Sequence, residues 1–199
     1  MIKFKVAVLF FVTCSFPTIA WANAEAPSPM GSKILWEEIQ TLQKNHAIMP
    51  GSTPFQLGSR TVDPYTVDLA NPLAISSIEK AGGILKVTRY SNGSLVVKEN
   101  YNAHKQLVGV TAMLKAAKFD PSDRNWIMAA YDPTGKVLAY GKVGSCIACH
   151  VLVRHQDLVF APPPTQLLPI TTWKAFFSKQ EMNPAYVALI HKHPEAVVQ

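Results

Sequence analysis

The sequence is poor in cysteine, with three in 199 residues. That excludes the multi-disulfide scaffold on which small exported domains depend. A zinc site lacks its second pair of ligands: no other cysteine pair exists, and the remaining histidines are single or fall in Arg154-His155 and His191-Lys192-His193. Charged residues make up 16% of the chain and hydrophobic ones 48%, a balance that excludes a disordered polymer. Basic residues outnumber acidic ones, 19 to 13, but form no polybasic run, so nucleic acid is not an expected partner. No internal repeat is present, and beyond the first two dozen residues no apolar run is long enough to cross a bilayer. The length suits one domain with a core of ordinary size.

What is there begins with a leader. Lys3 and Lys5 precede an apolar stretch from Val6 to Ala20, interrupted by Pro17, and Ala22-Asn23-Ala24 follows as a small-x-small site. This predicts a signal peptide over 1–24, cut after Ala24, with a periplasmic domain over 25–199 and no stable membrane anchor. Cys14 follows Thr13 rather than a small residue, which argues against lipidation. Loss of Lys3 and Lys5 lowers the formal charge from +6 to +4, mild enough to serve solubility or docking to an acidic redox partner.

Residues 25–31 read as a Pro-containing leader to the fold. Ser32 is placed to cap a helix from Lys33 to about His46, with Ile34, Leu35, Ile39 and Leu42 on one face. Residues 58–68 contain at most one short strand. Asn71-Pro72 opens a helix that Gly82-Gly83 closes. Leu85–Tyr90 and Leu95–Tyr101 read as a hairpin about Asn92-Gly93. Further strands cover Leu107–Leu114, Trp126–Tyr131 and Lys136–Tyr140, followed by a loop over 141–145. Two short helices, Thr172–Ser178 and one opened by Asn183-Pro184, end the chain. The expected class is α+β: an antiparallel meander of about five strands with flanking helices, and the cysteine pair after the last strand.

That pair is the sharpest signal. Cys146-Ile147-Ala148-Cys149-His150 is Cys-x-x-Cys-His, the attachment sequence of a c-type haem. Two thiols add across the porphyrin vinyl groups, and the adjacent imidazole reaches iron from the same side. A thioredoxin-like pair would follow a strand and open a helix in a βαβ unit; here the motif follows a meander. A plain disulfide is the remaining alternative. The expectation is one covalent haem c bound through Cys146, Cys149 and His150, with His150 on the metal.

The occupant of the sixth iron position decides function. Met113, Met128, Met182, His46, His104, His155, His191 and His193 are the candidates, and none has a recognisable ligand context. An open position is the expectation; a second axial ligand would make a six-coordinate electron carrier.

Asn92-Gly93-Ser94-Leu95-Val96-Val97-Lys98-Glu99, then Asn125-Trp126, then Cys146–His150 followed by Asp157-Leu158-Val159-Phe160 form a pattern that resembles the cytochrome P460 and cytochrome c′-β family over about Asn71 to Phe160. The resemblance implies a mainly antiparallel β fold, a homodimer, His150 as proximal ligand and otherwise five-coordinate iron. It also implies one of two activities: binding of nitric oxide under an apolar distal cap, or hydroxylamine oxidation on a haem carrying an extra link from a lysine. Lys105 is the candidate for that link, with Lys98 as the alternative; the other reading of Lys105 is a solvated turn residue beside Asn102, Ala103 and His104. On the strand 126–131, Trp126, Met128 and Ala130 share one face and Ile127, Ala129 and Tyr131 the other. Neither face carries the carboxylate that hydroxylamine oxidation would use as a base, which leaves Glu99 or Asp123 to approach from elsewhere. The leading expectation is therefore a haem protein that binds a small nitrogen-oxide ligand or relays electrons to a redox partner protein.

The attachment motif makes a direct prediction. The exported protein keeps its haem through a denaturing gel, and Cys146→Ala combined with Cys149→Ala abolishes the haem stain; an unstained band from the unmutated chain returns the pair to the disulfide reading.

Overall fold

A computed structural model describes residues 31–199; the signal peptide expected over 1–24, with Cys14, lies outside the described residues. One antiparallel sheet of six strands runs β1 Gln56–Leu57, β2 Tyr65–Ala70, β3 Leu95–Tyr101, β4 Leu107–Lys115, β5 Trp126–Tyr131 and β6 Val137–Gly141. Each strand pairs with its neighbour in sequence, so the sheet is a meander without crossovers. Around it lie α1 Ser32–Lys44, α2 Pro72–Ala81, α3 Gly144–His150, α4 Ile170–Phe176 and α5 Pro184–Lys192. This is the α+β class expected. No helix among the described residues is long and apolar enough to cross a membrane.

The strand inventory differs from the expectation in one place each way. Residues 56–70 supply β1 and β2, whereas Leu85–Tyr90 supplies no strand. Over residues 84–90 the buried side chains are Ile84, Val87 and Tyr90, while Leu85 is 50% exposed. That spacing has a period of three, which suits the 3₁₀ turn Ile84–Lys86 and the irregular chain after it. Apolar content imitated a strand; the period did not. Asn92-Gly93 is still a turn, with Gly93 at φ 83°, but it delivers the chain into β3 without a partner strand before it. Ser32 is the first helical residue of α1 instead of its cap; the cap position is Gly31, with no side-chain hydrogen bond. The segment read as a loop over 141–145 already enters α3 at Gly144.

Both faces of the sheet are covered. Leu95, Val97, Ala112, Leu114, Ile127, Ala129 and Tyr131 pack with Leu35, Ile39 and Leu42 of α1. The alternate residues Val96, Met113 and Met128 form one row across β3, β4 and β5. With Trp126 they pack under α2, the 84–90 segment, Ile147 of α3 and Leu158-Val159. The division of β5 into its two faces follows the alternation in the sequence. Burial on both sides explains why Trp126–Tyr131 is apolar throughout.

Asn71 joins two elements. Its Oδ1 accepts from the backbone N–H groups of Ala74 and Leu95, each at 3.0 Å, and its Nδ2 donates to the Gly93 carbonyl at 2.8 Å. One side chain thus caps α2 and sets the entry of β3. Asn71→Ala should cost about 1–3 kcal/mol, read as a lower denaturant midpoint at unchanged slope.

Candidate haem site

α3 places Cys146 and Cys149 three residues apart, hence on one helical face, and brings His150 next to Cys149 at the helix end. Both thiols are free and half-buried. Burial pushes their pKa values up, with the Lys98 cation acting the other way. His150 Nδ1 lies 2.7 Å from the Leu158 carbonyl oxygen. A carbonyl only accepts, so Nδ1 carries the proton and Nε2 keeps its lone pair for a metal. Burial lowers the His150 pKa to about 4, opposed by the Leu158 carbonyl and reinforced by Lys98. The imidazole is therefore neutral, as a ligand must be. The Phe160 ring meets it edge-on at 5.5 Å.

The carbonyl that orients His150 belongs to a costly turn. Asp157 and Leu158 both have positive φ, 57° and 71°, a region that branched L-residues avoid unless their surroundings fix them. Here the surroundings do. Asp157 Oδ2 accepts from Lys115 Nζ at 2.6 Å and from the Tyr90 N–H at 2.7 Å. Trp126 Nε1 donates to the Asp157 carbonyl at 2.6 Å, and Lys115 Nζ sits 4.8 Å from the centre of a Trp126 ring. The pair is buried, with Lys115 7% and Asp157 0% exposed. Burial lowers the Lys115 pKa, and Asp157 opposes that shift. In Asp157-Leu158-Val159-Phe160, then, the four residues supply in turn an ion pair, a carbonyl for His150, a core side chain and a ring on the imidazole.

A cavity of about 420 Å³ lies between α3 and the sheet, lined by Cys146, Cys149 and His150 on one side and by Val96, Lys98 and Met113 on the other. Asp68 of β2 pairs in register with Lys98 of β3, which pairs with Thr111 of β4, and all three line the cavity. Gln56 Nε2 donates to Asp68 Oδ2 at 2.5 Å. Burial raises the Asp68 pKa, Lys98 and Gln56 resist the shift, and Glu99 adds to it.

Two free thiols one helical turn apart, a neutral imidazole with Nε2 unengaged and an adjoining cavity fit a covalently held haem. The model of the family described as cytochrome P460 matches residues 36–161. The chain belongs to the cytochrome P460 family. Membership implies a haem cofactor. The match begins at Trp36, so it takes in α1 from that residue onward, β1 and β2, which the resemblance from Asn71 onward did not cover. No curated protein matches the chain.

Within this cytochrome P460 domain the structure sorts the other residues singled out in the sequence. Lys98 lines the cavity. Lys105 does not: it sits in an exposed turn at φ 57°, its Nζ 4.6 Å from the centre of the Phe55 ring, which packs on the α1 side. Glu99 also faces α1, accepting from Gln43 Nε2 at 2.8 Å and Tyr101 Oη at 3.0 Å. Asp123 pairs with Lys142 at 3.0 Å. Of the sixth-ligand candidates, Met113 and Met128 line the cavity from within the core row, and Met182 packs in the C-terminal cluster. Among the described residues, His150 is the only histidine that lines the cavity. Two carboxylates line the cavity, Asp63, which pairs with Arg60, and Asp68 on β2; the signal of Asp68 in the sequence was a lone acid inside the apolar run Tyr65–Ala70.

Asp157→Ala leaves the Lys115 charge buried without a partner and should destabilise the fold by about 3–5 kcal/mol. Lys115→Met combined with Asp157→Asn should be milder than Asp157→Ala alone, measured by denaturant unfolding of the haem-loaded proteins, because no charge is stranded.

Proposed function

We propose that the protein is an exported, periplasmic c-type cytochrome that holds one haem through Cys146 and Cys149, with His150 as proximal ligand, and that it binds a small nitrogen-oxide ligand such as nitric oxide and relays single electrons. The observation that carries this reading is the cavity beside α3, which His150 alone among the histidines lines. When bound, the haem supplies a redox-active iron with a position for a diatomic ligand. The chain does the rest. The Leu158 carbonyl fixes the tautomer and tilt of His150. Val96, Met113 and Met128 give the cavity an apolar wall that keeps water from that side. A homodimer and an acidic redox partner protein belong to the same proposal, the latter supported by the mild positive charge.

A second reading, hydroxylamine oxidation on a lysine-linked haem, gains support from Lys98 and Asp68. Lys98 brings a primary amine to the cavity, which Lys105 does not. Asp68 brings a carboxylate whose raised pKa suits proton abstraction from a substrate nitrogen. Its proton affinity also sets a direction with pH. Activity that needs the Asp68 carboxylate rises with pH through a pKa above the ordinary carboxylate value, and Asp68→Asn removes that limb.

Absorption spectra of the oxidised and reduced protein separate the readings. The first expects a high-spin c-type spectrum and binding of nitric oxide and carbon monoxide to the reduced protein. A low-spin spectrum without carbon monoxide binding overturns it in favour of a six-coordinate carrier. A strongly red-shifted main band favours the enzyme; Lys98→Ala should then restore an ordinary c-type band and abolish turnover, whereas Lys105→Ala should change neither.

A further inference from the structure

The segment 162–199 lies beyond the family-matched residues, yet it meets the same cavity. Leu168, Phe176, Phe177 and Tyr186 line it together with Cys149 and His150. The segment is not loosely laid on the domain. Asn183 donates from Nδ2 to the Gly58 carbonyl at 3.0 Å and from its backbone N–H to the Ser59 carbonyl at 2.9 Å. Trp173 Nε1 donates to Ser59 Oγ at 3.1 Å, and the Thr61 N–H donates to the Glu181 carbonyl at 3.0 Å. The chain end folds back on the start of the segment, with the Leu167 N–H donating to Ala196 at 2.8 Å and the Val198 N–H to Leu167 at 3.0 Å. Leu167, Tyr186 and Ile190 form its own small core.

Within this frame the aromatic side chains have definite places. Tyr186 is 5% exposed, its hydroxyl accepting from the Leu168 N–H at 3.1 Å. Phe177 leans on Trp173 at 5.2 Å. Phe176 both lines the cavity and is 40% exposed, so it stands at the rim. A tail that only covered the sheet would not present rings to the space beside the attachment helix. Tyr186, held by its bond to the backbone, and Phe177, held against Trp173, make a wall that does not yield easily, with Phe176 at its rim, and such a wall selects by size.

We infer that the segment 162–199 sets the size of molecule admitted to the haem cavity, with Phe176 and Phe177 as the deciding side chains. Diatomic and hydroxylamine-sized ligands enter; branched or ring-bearing ones do not. The inference rests on the haem reading of the site.

The test compares carbon monoxide with tert-butyl isocyanide binding to the reduced, haem-loaded protein. Phe176→Ala and Phe177→Ala should each speed isocyanide association about tenfold or more while carbon monoxide changes by less than about threefold. Equal changes for both ligands, or none, overturn the inference. Should Phe177→Ala loosen α4 through its lost contact with Trp173, Phe176→Ala, at the rim, carries the comparison. A second readout needs no haem. In the full chain before haem attachment, the same variants should raise alkylation of Cys149 by a bulky maleimide more than by iodoacetamide. An unstained band on the denaturing gel would sink the haem reading alone, because thiol selectivity would still test the wall; unaltered thiol selectivity would sink the wall.

Discussion

The ion pair between Lys115 and Asp157 is the constraint on which the site depends. It lies where the end of β4, the start of β5 and the turn after α3 converge. Burying two charges is seldom the cheapest way to stabilise a protein, since an apolar pair of similar volume often does as well. What an apolar pair would not do is fix a backbone turn. Two successive residues at positive φ need directional bonds from several sides, and Asp157 gathers them from Lys115, Tyr90 and Trp126. The reward is the position of the next carbonyl, on Leu158, which holds His150. Strain in the turn, charge in the core and geometry at the imidazole are thus one arrangement.

The same arrangement shows what the sequence made legible. Both Asn-Pro helix starts behave as read: Asn71 accepts from Ala74 N–H and Asn183 from Ala185 N–H. Cap chemistry is local, so a few residues decide it. Four strands of the meander were legible for a similar reason, because alternation and turn residues are short-range signals. Leu85–Tyr90 misled because β-favouring residues there repeat every third position, and composition outweighed period. Lys98 and Lys105 differ in a way that spacing alone did not reveal. Lys98 sits inside β3, where alternation commits it to the face of Val96, whereas Lys105 lies past the strand end, where the turn carries it to Phe55. Asp68 was missed because its relation to the cysteines passes through strand register, which long-range pairing decides.

The sheet divides its labour between its faces. The α1 face is almost wholly aliphatic and aromatic, and its polar residue Glu99 is engaged by Gln43 and Tyr101. The cavity face carries a polar row, Asp68, Lys98 and Thr111, laid across three adjacent strands. A carboxylate in an apolar strand lowers stability unless its neighbours compensate, and Gln56 and Lys98 do so in part. A fold selected only for stability would place aliphatic residues in that row, as it does one step away in Val96, Met113 and Met128. The polar row is therefore better explained by what enters the cavity than by what holds the sheet together. Ligand binding beneath an apolar wall needs only the second row; proton removal from a substrate nitrogen needs the first. The sheet presents both rows side by side, so the two proposed activities differ in whether the Lys98 amine stays free beside Asp68 or bonds the porphyrin.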